Sequence, residues 1–184
     1  TCDQGLTKNE ELICFHCRST LPKSKFADLK DNEVVHRMYG KLDVVMGLSY
    51  LYFYKSGIAQ KLLHQLKYKN QPEIGELLGN WIAYDIMNAK MEKTLDLIVP
   101  VPLHKKKERK RGYNQSRHFA KGISELTKIP MDFHNLQRIH YSESQTHKSK
   151  EKRWKSVEHA FRVKTAECFK DKHVLLVDDV MTTG

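Results

Sequence analysis

This chain of 184 residues is most informative, at first reading, for its lack of long apolar runs and of abundant cysteine. No stretch reaches the roughly twenty apolar residues that a transmembrane helix requires, and no signal-peptide pattern is present. We therefore expect a cytoplasmic protein without a membrane partner. Its four cysteines are too few for a disulfide scaffold. The apolar content of 40% nevertheless suffices for a core, which argues against a wholly disordered chain.

Positive charge is concentrated in two segments of the chain. The formal net charge is +10. Residues 104–118 carry seven Lys or Arg and one Glu, and residues 147–155 carry five Lys or Arg and one Glu. These two segments account for the whole excess, whereas a uniformly basic surface would have favoured nonspecific binding of polyanions. The concentration of charge indicates anion-binding sites or one basic face.

A small cysteine-containing module is predicted at residues 1–25. Eleven residues separate Cys2 from Cys14, and Cys17 completes a C-x-x-C pair with Cys14. This spacing is typical of part of a zinc ribbon, so we predict that these three thiols bind structural Zn²⁺. A fourth ligand is expected upstream of Thr1, because His16 lies inside the C-x-x-C turn and is poorly placed to serve. The alternative is that the three cysteines are unrelated.

Segments with strand character alternate with segments of helical periodicity between residues 26 and 184. Residues 26–43 are interpreted as a polar connector. Helices are predicted at residues 58–70, 74–90 and 114–126, and strands at residues 48–54, 95–101, 133–139, 160–163 and 173–177. The polar stretch 140–156 is predicted to be a long loop of the functional or mobile kind. This alternation is typical of an α/β domain with a mostly parallel sheet.

The last eleven residues, Val174–Gly184, read VLLVDDVMTTG. The apolar run predicts a buried parallel strand, and Asp178 and Asp179 follow it at the edge where α/β sheets bind ligands. Such acids suit the hydroxyl groups of a sugar or a divalent metal ion. Small residues after a strand, here Thr182, Thr183 and Gly184, are suited to wrapping a phosphate group. Two solvated acids in a turn would be the alternative, but that alternative leaves the Thr-Thr-Gly sequence unexplained.

Several cationic and amide side chains are candidates for binding an anion. Arg111 can make bidentate contacts to phosphate oxygens, and Asn114 and Gln115 lie at a predicted helix start. Lys67, with Lys69 nearby, follows an amphipathic helix, and Arg153 lies in the second basic segment. The run of charged residues at 105–110 is interpreted mostly as a solvated surface.

These motifs resemble those of a known family. VLLVDDVMTTG resembles the 5-phosphoribosyl-1-pyrophosphate (PRPP) motif of type I phosphoribosyltransferases. Together with VPVPLH at residues 99–104, RGYNQS at 111–116 and LKYK at 66–69, it makes the chain similar to the ComF family of competence proteins. The resemblance extends over nearly the whole chain. It departs at both ends, where one zinc cysteine is missing and the sequence stops inside the phosphate loop, so we interpret the chain as truncated there.

The resemblance implies a fold, a ligand and a set of site residues. The fold would be that of a type I phosphoribosyltransferase, incomplete at its C-terminus, over residues 26–184, with a partial zinc-ribbon-like module before it. The activity would be transfer of a phosphoribosyl group from PRPP, bound with Mg²⁺, to an unidentified nitrogen acceptor. The implied site comprises a catalytic set of Asp178, Asp179, Arg111 and Arg153, and PRPP contacts from Asp178, Asp179, Thr182, Thr183, Gly184, Lys67, Arg111, Asn114 and Gln115.

A second function fits the same residues. ComF proteins are associated with natural competence and DNA uptake, so this chain could instead be a non-catalytic accessory protein. It would then bind single-stranded DNA through its basic segments and aromatic residues, or a competence helicase through the zinc module. The two acids and the threonines favour the PRPP site, because nucleic-acid binding does not require them. The two functions are compatible with each other.

Overall fold

The computed structural model describes residues 2, 5–24, 29–140 and 160–181. The chain divides into two compact units, one formed by Thr1–Gln65 with Val180–Gly184 and the other by Leu66–Asp179. The predicted boundary at residue 25 falls in the gap between described residues and stays a prediction. None of the helices in the described ranges is both long and apolar enough to cross a bilayer.

The first unit contains short helices joined by irregular segments. The short helices are α1 (Phe15–Ser19) and α2 (Glu33–Met38). Asn32 starts α2, because its Oδ1 accepts hydrogen bonds from the backbone N–H groups of Val34 and Val35 at 2.9 and 3.2 Å. The interpretation of residues 26–43 as a connector was therefore wrong at Glu33–Met38, where the structure has a short helix. The sequence pattern had not revealed the N-cap of this helix.

The predicted strand at residues 48–54 is also wrong. Leu51 forms an isolated antiparallel bridge with Lys23, and no strand is assigned there. Tyr52, Phe53 and Tyr54 are exposed, so their aromatic character does not serve a sheet in the described part of the chain. β-Propensity alone did not predict the structure of this segment correctly. It reflects how well a side chain fits the pleated surface of a sheet, and this segment does not contact such a surface.

Two long helices follow, as the apolar periodicity predicted. They are α3 (Ile58–Tyr68) and α4 (Glu73–Asn88). α3 buries Leu62 and Leu66, which are four residues apart and share one face. α4 buries a longer stripe with the same spacing, formed by Ile74, Leu78, Ile82 and Ile86.

The second unit is built around a short parallel pair of strands. These are β1 (Leu97–Pro100) and β4 (Val174–Val177), paired in register from Leu97 with Val174 to Pro100 with Val177. On the other edge of β1, Ile98 bridges Met131 in parallel. The central position of β1 explains why all four of its residues are buried.

The last strand departs from the prediction of a buried central strand. β4 pairs with β1 alone among the described residues, and Val174 and Leu176 are exposed while Val177 is buried. β2 (Leu136–Arg138) and β3 (Phe161–Val163) form a separate antiparallel pair. The described chain is therefore mixed α/β with a small parallel sheet, which is a coarser result than the mostly parallel sheet that was predicted.

α5 (Lys105–Arg111) and α6 (Gln115–Thr127) connect β1 to the Met131 segment. Gly112, with a φ of 93°, ends α5 in a left-handed conformation that suits glycine. α6 packs closely on α4, since a Cβ atom added at Gly79 would lie 2.2 Å from the carbonyl oxygen of Phe119. Across the same contact, Glu76 accepts hydrogen bonds from Lys121 Nζ at 2.9 Å and from His118 Nδ1 at 2.8 Å.

Candidate functional site

The start of α6 is fastened to the carboxyl ends of β1 and β4. The parallel ladder continues past β1, because the N–H of Val101 donates to the carbonyl of Val177 at 2.8 Å. Asn114 Nδ2 donates to the carbonyl of Val101 at 2.9 Å, and Asn114 Oδ1 accepts from the N–H of Ser116 at 3.1 Å. Asn114 is buried and acts as the N-cap of α6. This arrangement places the first residues of α6 beside the two acids that follow β4.

Asp178 contacts α6 through Ser116. The hydroxyl of Ser116 donates to Asp178 Oδ1 at 2.9 Å, and the backbone N–H of Asp179 donates to the same oxygen at 2.8 Å. Although the residue as a whole is exposed, the carboxyl group is turned towards the buried Ser116. Loss of hydration at this carboxyl, together with the neighbouring charge of Asp179, raises the pKa of Asp178 above its ordinary value.

Asp179 lies between a cation and an amide. Lys67 Nζ is 2.7 Å from Asp179 Oδ2, and Gln115 Nε2 donates to the same oxygen at 2.8 Å. The side chains of Lys67 and Asp179 are 22% and 10% exposed, so this ion pair is largely withdrawn from water. Low exposure strengthens the attraction relative to a surface pair, but it also makes removal of one partner more disruptive.

Gln115 connects Asp179 to Arg111. Its Oε1 accepts a hydrogen bond from an Arg111 guanidinium nitrogen while its Nε2 donates to Asp179. The Arg111 guanidinium also lies 5.8 Å from the centre of the Tyr68 ring. The tertiary structure therefore brings together Lys67, Arg111, Gln115 and Asp179, four of the residues that the sequence singled out.

Tyr113 ties the beginning of α6 to the end of α3. Its hydroxyl donates to the carbonyl of Leu66, the residue before Lys67. Burial raises the pKa of the Tyr113 phenol, so the hydroxyl remains protonated and able to donate over the physiological pH range. This bond helps to hold Lys67 within reach of Asp179.

Sequence reasoning missed two residues of this cluster. Ser116 was the last residue of the RGYNQS motif but had received no role, although a hydroxyl at a helix start is a recognisable signal. Lys107 had been grouped with a solvated charge run. It is half-buried, and no sequence signal separated it from the other lysines of the run, because Lys106 has the same spacing from Lys110 as Lys107 has from Arg111.

The other predicted PRPP-site residues have no described geometry. Arg153, Thr182, Thr183 and Gly184 lie outside the described residues. Their roles stay predictions.

The three N-terminal cysteines form a compact cluster in the first unit. The Sγ atoms of Cys2, Cys14 and Cys17 lie within 4.8 Å of one another, and Cys14 and Cys17 are buried. Cys2 Sγ and Cys14 Sγ are 3.3 Å apart. Tetrahedral zinc with Zn–S bonds of about 2.3 Å separates its sulfur ligands by about 3.8 Å, so the cluster has suitable donors and spacing for such an ion.

Comparison with known proteins identified several relatives. DNA utilization protein YhgH of Escherichia coli (strain K12) is 30% identical over 126 residues, which are 67% of this chain and 55% of that protein. Competence protein F of Haemophilus influenzae is 31% identical over 127 residues, which are 67% of this chain and 56% of that protein. Competence protein ComFC of Bacillus subtilis is 26% identical in an alignment of 192 positions, which covers 97% of this chain and 76% of that protein.

The coverage of these relatives is unequal. This chain spans little more than half the length of the first two relatives. No family model matches the chain, and no solved structure matches it significantly. The sequence motifs and the names of these relatives nevertheless indicate the same family, and the chain belongs to the ComF family.

Proposed function

We propose that this protein binds PRPP together with Mg²⁺ and transfers its phosphoribosyl group to a nitrogen acceptor, on a fold of the type I phosphoribosyltransferase kind. One observation carries the proposal. Two acids at the carboxyl end of a parallel strand contact the same helix start that holds Arg111, with Lys67 in direct contact with Asp179. PRPP has sugar hydroxyls and a bound metal ion, which suit acids, and a pyrophosphate group, which suits cations.

The acids would bind the ribose end of the ligand. Asp178 is held by Ser116, and Asp179 by Gln115, so both carboxylates are oriented before a ligand arrives. Carboxylate oxygens suit hydroxyl donors and also suit Mg²⁺, which prefers oxygen ligands. Bound Mg²⁺ would supply positive charge to the pyrophosphate group.

The cations would stabilise the leaving group. Pyrophosphate gains negative charge as its bond to ribose C1 breaks. Arg111, which is hydrogen-bonded to Gln115, and Lys67, which is paired with Asp179, would supply fixed positive charge. The predicted contributions of Arg153, Thr182, Thr183 and Gly184 complete this proposal. Catalysis would then consist of positioning and charge neutralisation, with no covalent enzyme intermediate.

The proposal is tested by calorimetric titration of the full-length protein with PRPP and Mg²⁺. The double variant Asp178→Asn, Asp179→Asn should lose binding, because neutral amides cannot replace the two carboxylate charges. Circular dichroism serves as the control that the variant folds. If the folded double variant bound PRPP with wild-type affinity, the two acids would not be part of the binding site.

Arg111 provides a second test of the same site. Arg111→Ala should lower the affinity for PRPP by roughly tenfold, which is the loss expected for one charge-assisted contact of about 1.5 kcal/mol. Ribose 5-phosphate, which lacks the pyrophosphate group, should be affected much less. Equal losses for the two ligands would show that Arg111 does not read the pyrophosphate group.

Structural zinc forms part of the proposal. Cys2, Cys14 and Cys17 would supply three thiolates, and a fourth ligand would complete the tetrahedral site. Spectrophotometric zinc analysis after release with a thiol-modifying reagent should find one ion per chain. A Cys17→Ser variant should contain less zinc, and unchanged zinc content in it would exclude the cluster.

A role in competence and DNA uptake is the second function that an observation favours. The names of the relatives refer to competence and to DNA utilization, and the chain carries a net charge of +10. In this role the protein would bind single-stranded DNA or a competence helicase. Affinity for a DNA oligonucleotide should fall steeply with salt, because phosphate contacts release counterions. A salt-independent affinity, or none, would count against direct DNA binding.

A further inference from the structure

Three aromatic side chains in the first unit are exposed one after another. Tyr52, Phe53 and Tyr54 are 42%, 51% and 59% exposed, and we call them the aromatic segment. Aromatic rings that stabilise a fold do so by leaving water, so packing within the described part of the chain does not explain this segment. A contiguous exposed apolar surface is typical of a site that binds another molecule.

The backbone of the aromatic segment is held by hydrogen bonds at both ends. The N–H of Tyr52 donates to the carbonyl of Pro22 at 2.8 Å, and the N–H of Gly57 donates to the carbonyl of Tyr54 at 3.1 Å. The rings therefore project from a fixed backbone. A ligand that binds them loses less free energy to ordering than it would on a disordered chain.

The spacing of the two tyrosine rings suits a flat ligand. The ring centres of Tyr52 and Tyr54 are 6.4 Å apart, and the ring planes are inclined by 40°. Successive nucleotides in a stacked strand are about 3.4 Å apart, so two stacking intervals occupy about 6.8 Å. The measured spacing is close to that value, and a small rotation that made the rings parallel would let one base lie between them.

Positive charge accompanies the aromatic segment. Between Asp43 and Glu73 the sequence contains four lysines and no acidic residue. Lys55, which is exposed, follows Tyr54 directly, and exposed Lys23 forms the isolated bridge with Leu51. Cations therefore lie at both ends of the segment, and a suitable ligand combines flat apolar faces with negative charge. Single-stranded DNA has both, whereas an apolar protein surface has no use for the lysines.

We propose that Tyr52 and Tyr54 stack on bases of single-stranded DNA while Lys23 and Lys55 contact the neighbouring phosphates. The inference rests on the proposed role in DNA uptake, for which it names the binding side chains. Every base presents a π-face to an aromatic ring, so this site tolerates any sequence. It lies wholly within the first unit and uses none of the residues assigned to PRPP.

Fluorescence anisotropy with a labelled oligothymidylate tests this assignment on the full-length protein. Tyr54→Ala should weaken binding by roughly tenfold, because it removes one base–aromatic stack. Tyr54→Phe retains the ring and should keep most of the affinity. Tyr84→Ala is the matched control, since Tyr84 on α4 is 57% exposed, and its removal should change the affinity by less than about twofold.

Two further measurements separate stacking from charge. An abasic oligonucleotide keeps the phosphates but lacks the bases, so Tyr54→Ala should not change its affinity. Stacking releases no counterions, so Tyr54→Ala should leave the salt dependence of oligothymidylate binding unchanged. Lys55→Ala should instead make the slope of log K against log salt shallower by about 0.7, the contribution of one phosphate contact on a single strand.

The outcomes separate this assignment from the proposed role in DNA uptake. If the double variant Tyr52→Ala, Tyr54→Ala bound oligothymidylate as tightly as the wild type does, the assignment would be overturned. The exposed rings would then serve a protein partner, and direct DNA binding would stand. Failure of the wild-type protein to bind the oligonucleotide would overturn direct DNA binding and this inference together. Unchanged PRPP affinity and unfolding temperature in each variant show that a loss of DNA affinity does not come from a loss of fold.

Discussion

The close contact between α4 and α6 allows a prediction whose sign is set by tertiary structure. Gly79 lies in the middle of α4, where alanine would ordinarily stabilise a helix by about 1 kcal/mol. A Cβ atom at this position would lie 2.2 Å from the carbonyl oxygen of Phe119 and 3.1 Å from the Cα of Gly122. Ordinary contacts begin at 3.4 Å, so the first of these distances is too short by about 1.2 Å.

The magnitude follows from which atoms must move. The clash at Gly79 is with backbone, so α6 as a whole has to shift away from α4, and no side-chain rotation relieves it. Overpacking of this kind costs about 1–3 kcal/mol, and a backbone clash belongs at the upper end of that range. When the gain in helix propensity is subtracted from this cost, we expect Gly79→Ala to lower the free energy of unfolding by about 2 kcal/mol. That loss corresponds to a fall in Tm of roughly 4–8 °C for a chain of this size.

Gly75, one turn earlier in α4, provides the matched control. A Cβ atom there would lie 3.1 Å from the Cβ of His118 and 3.3 Å from the backbone nitrogen of Phe119, contacts that a shift of a few tenths of an ångström relieves. Gly75→Ala should therefore change Tm by less than half as much as Gly79→Ala. Thermal unfolding followed by circular dichroism measures both. A Tm for Gly79→Ala equal to or above that of the wild type would show that the two helices do not approach each other as described.

Two further substitutions probe the same unit. Asn114→Ala should lower the free energy of unfolding, measured by chemical denaturation, by about 1–2 kcal/mol, since it removes the N-cap of α6 and the hydrogen bond to the Val101 carbonyl. An unchanged denaturation midpoint would contradict this role. Glu76→Gln should lower Tm at pH 7, because hydrogen bonds from Lys121 and His118 hold the pKa of Glu76 below its ordinary value even though burial opposes its charge. Because the pKa of Glu76 is lower in the folded than in the unfolded state, its carboxylate stabilises the fold at pH values above its unfolded pKa of about 4.3. This stabilisation is lost as the pH falls through the folded pKa. The Tm difference between the wild type and Glu76→Gln should therefore vanish in acid. A pH-independent difference would assign the loss to packing instead.

Local patterns were sufficient for the longer helices α3, α4 and α6, whereas the short helices α1, α2 and α5 were not predicted. Apolar residues four apart predicted α3 and α4 nearly to the residue, because that spacing describes a single buried face wherever the helix packs. The same reasoning failed at residues 48–54, where a strand requires a partner that lies elsewhere in the chain. The two acids could be placed at a strand end from sequence, yet their contacts with Ser116 and Gln115 span more than sixty residues.

The sequence by itself determined the family, the longer helices and the chemical character of the candidate site, since these depend on residue type and on spacing along the chain. Only the tertiary structure decided which charges meet. Lys107 and Lys110 are indistinguishable in a basic run, and the orientation of α5 leaves Lys107 half-buried and Lys110 exposed. From sequence Asn114 was assigned to PRPP binding, and that contact stays a prediction; the structure adds that its amide forms hydrogen bonds with the backbone of Val101 and Ser116. Such differences arise because burial and electrostatic partners are properties of three-dimensional neighbours.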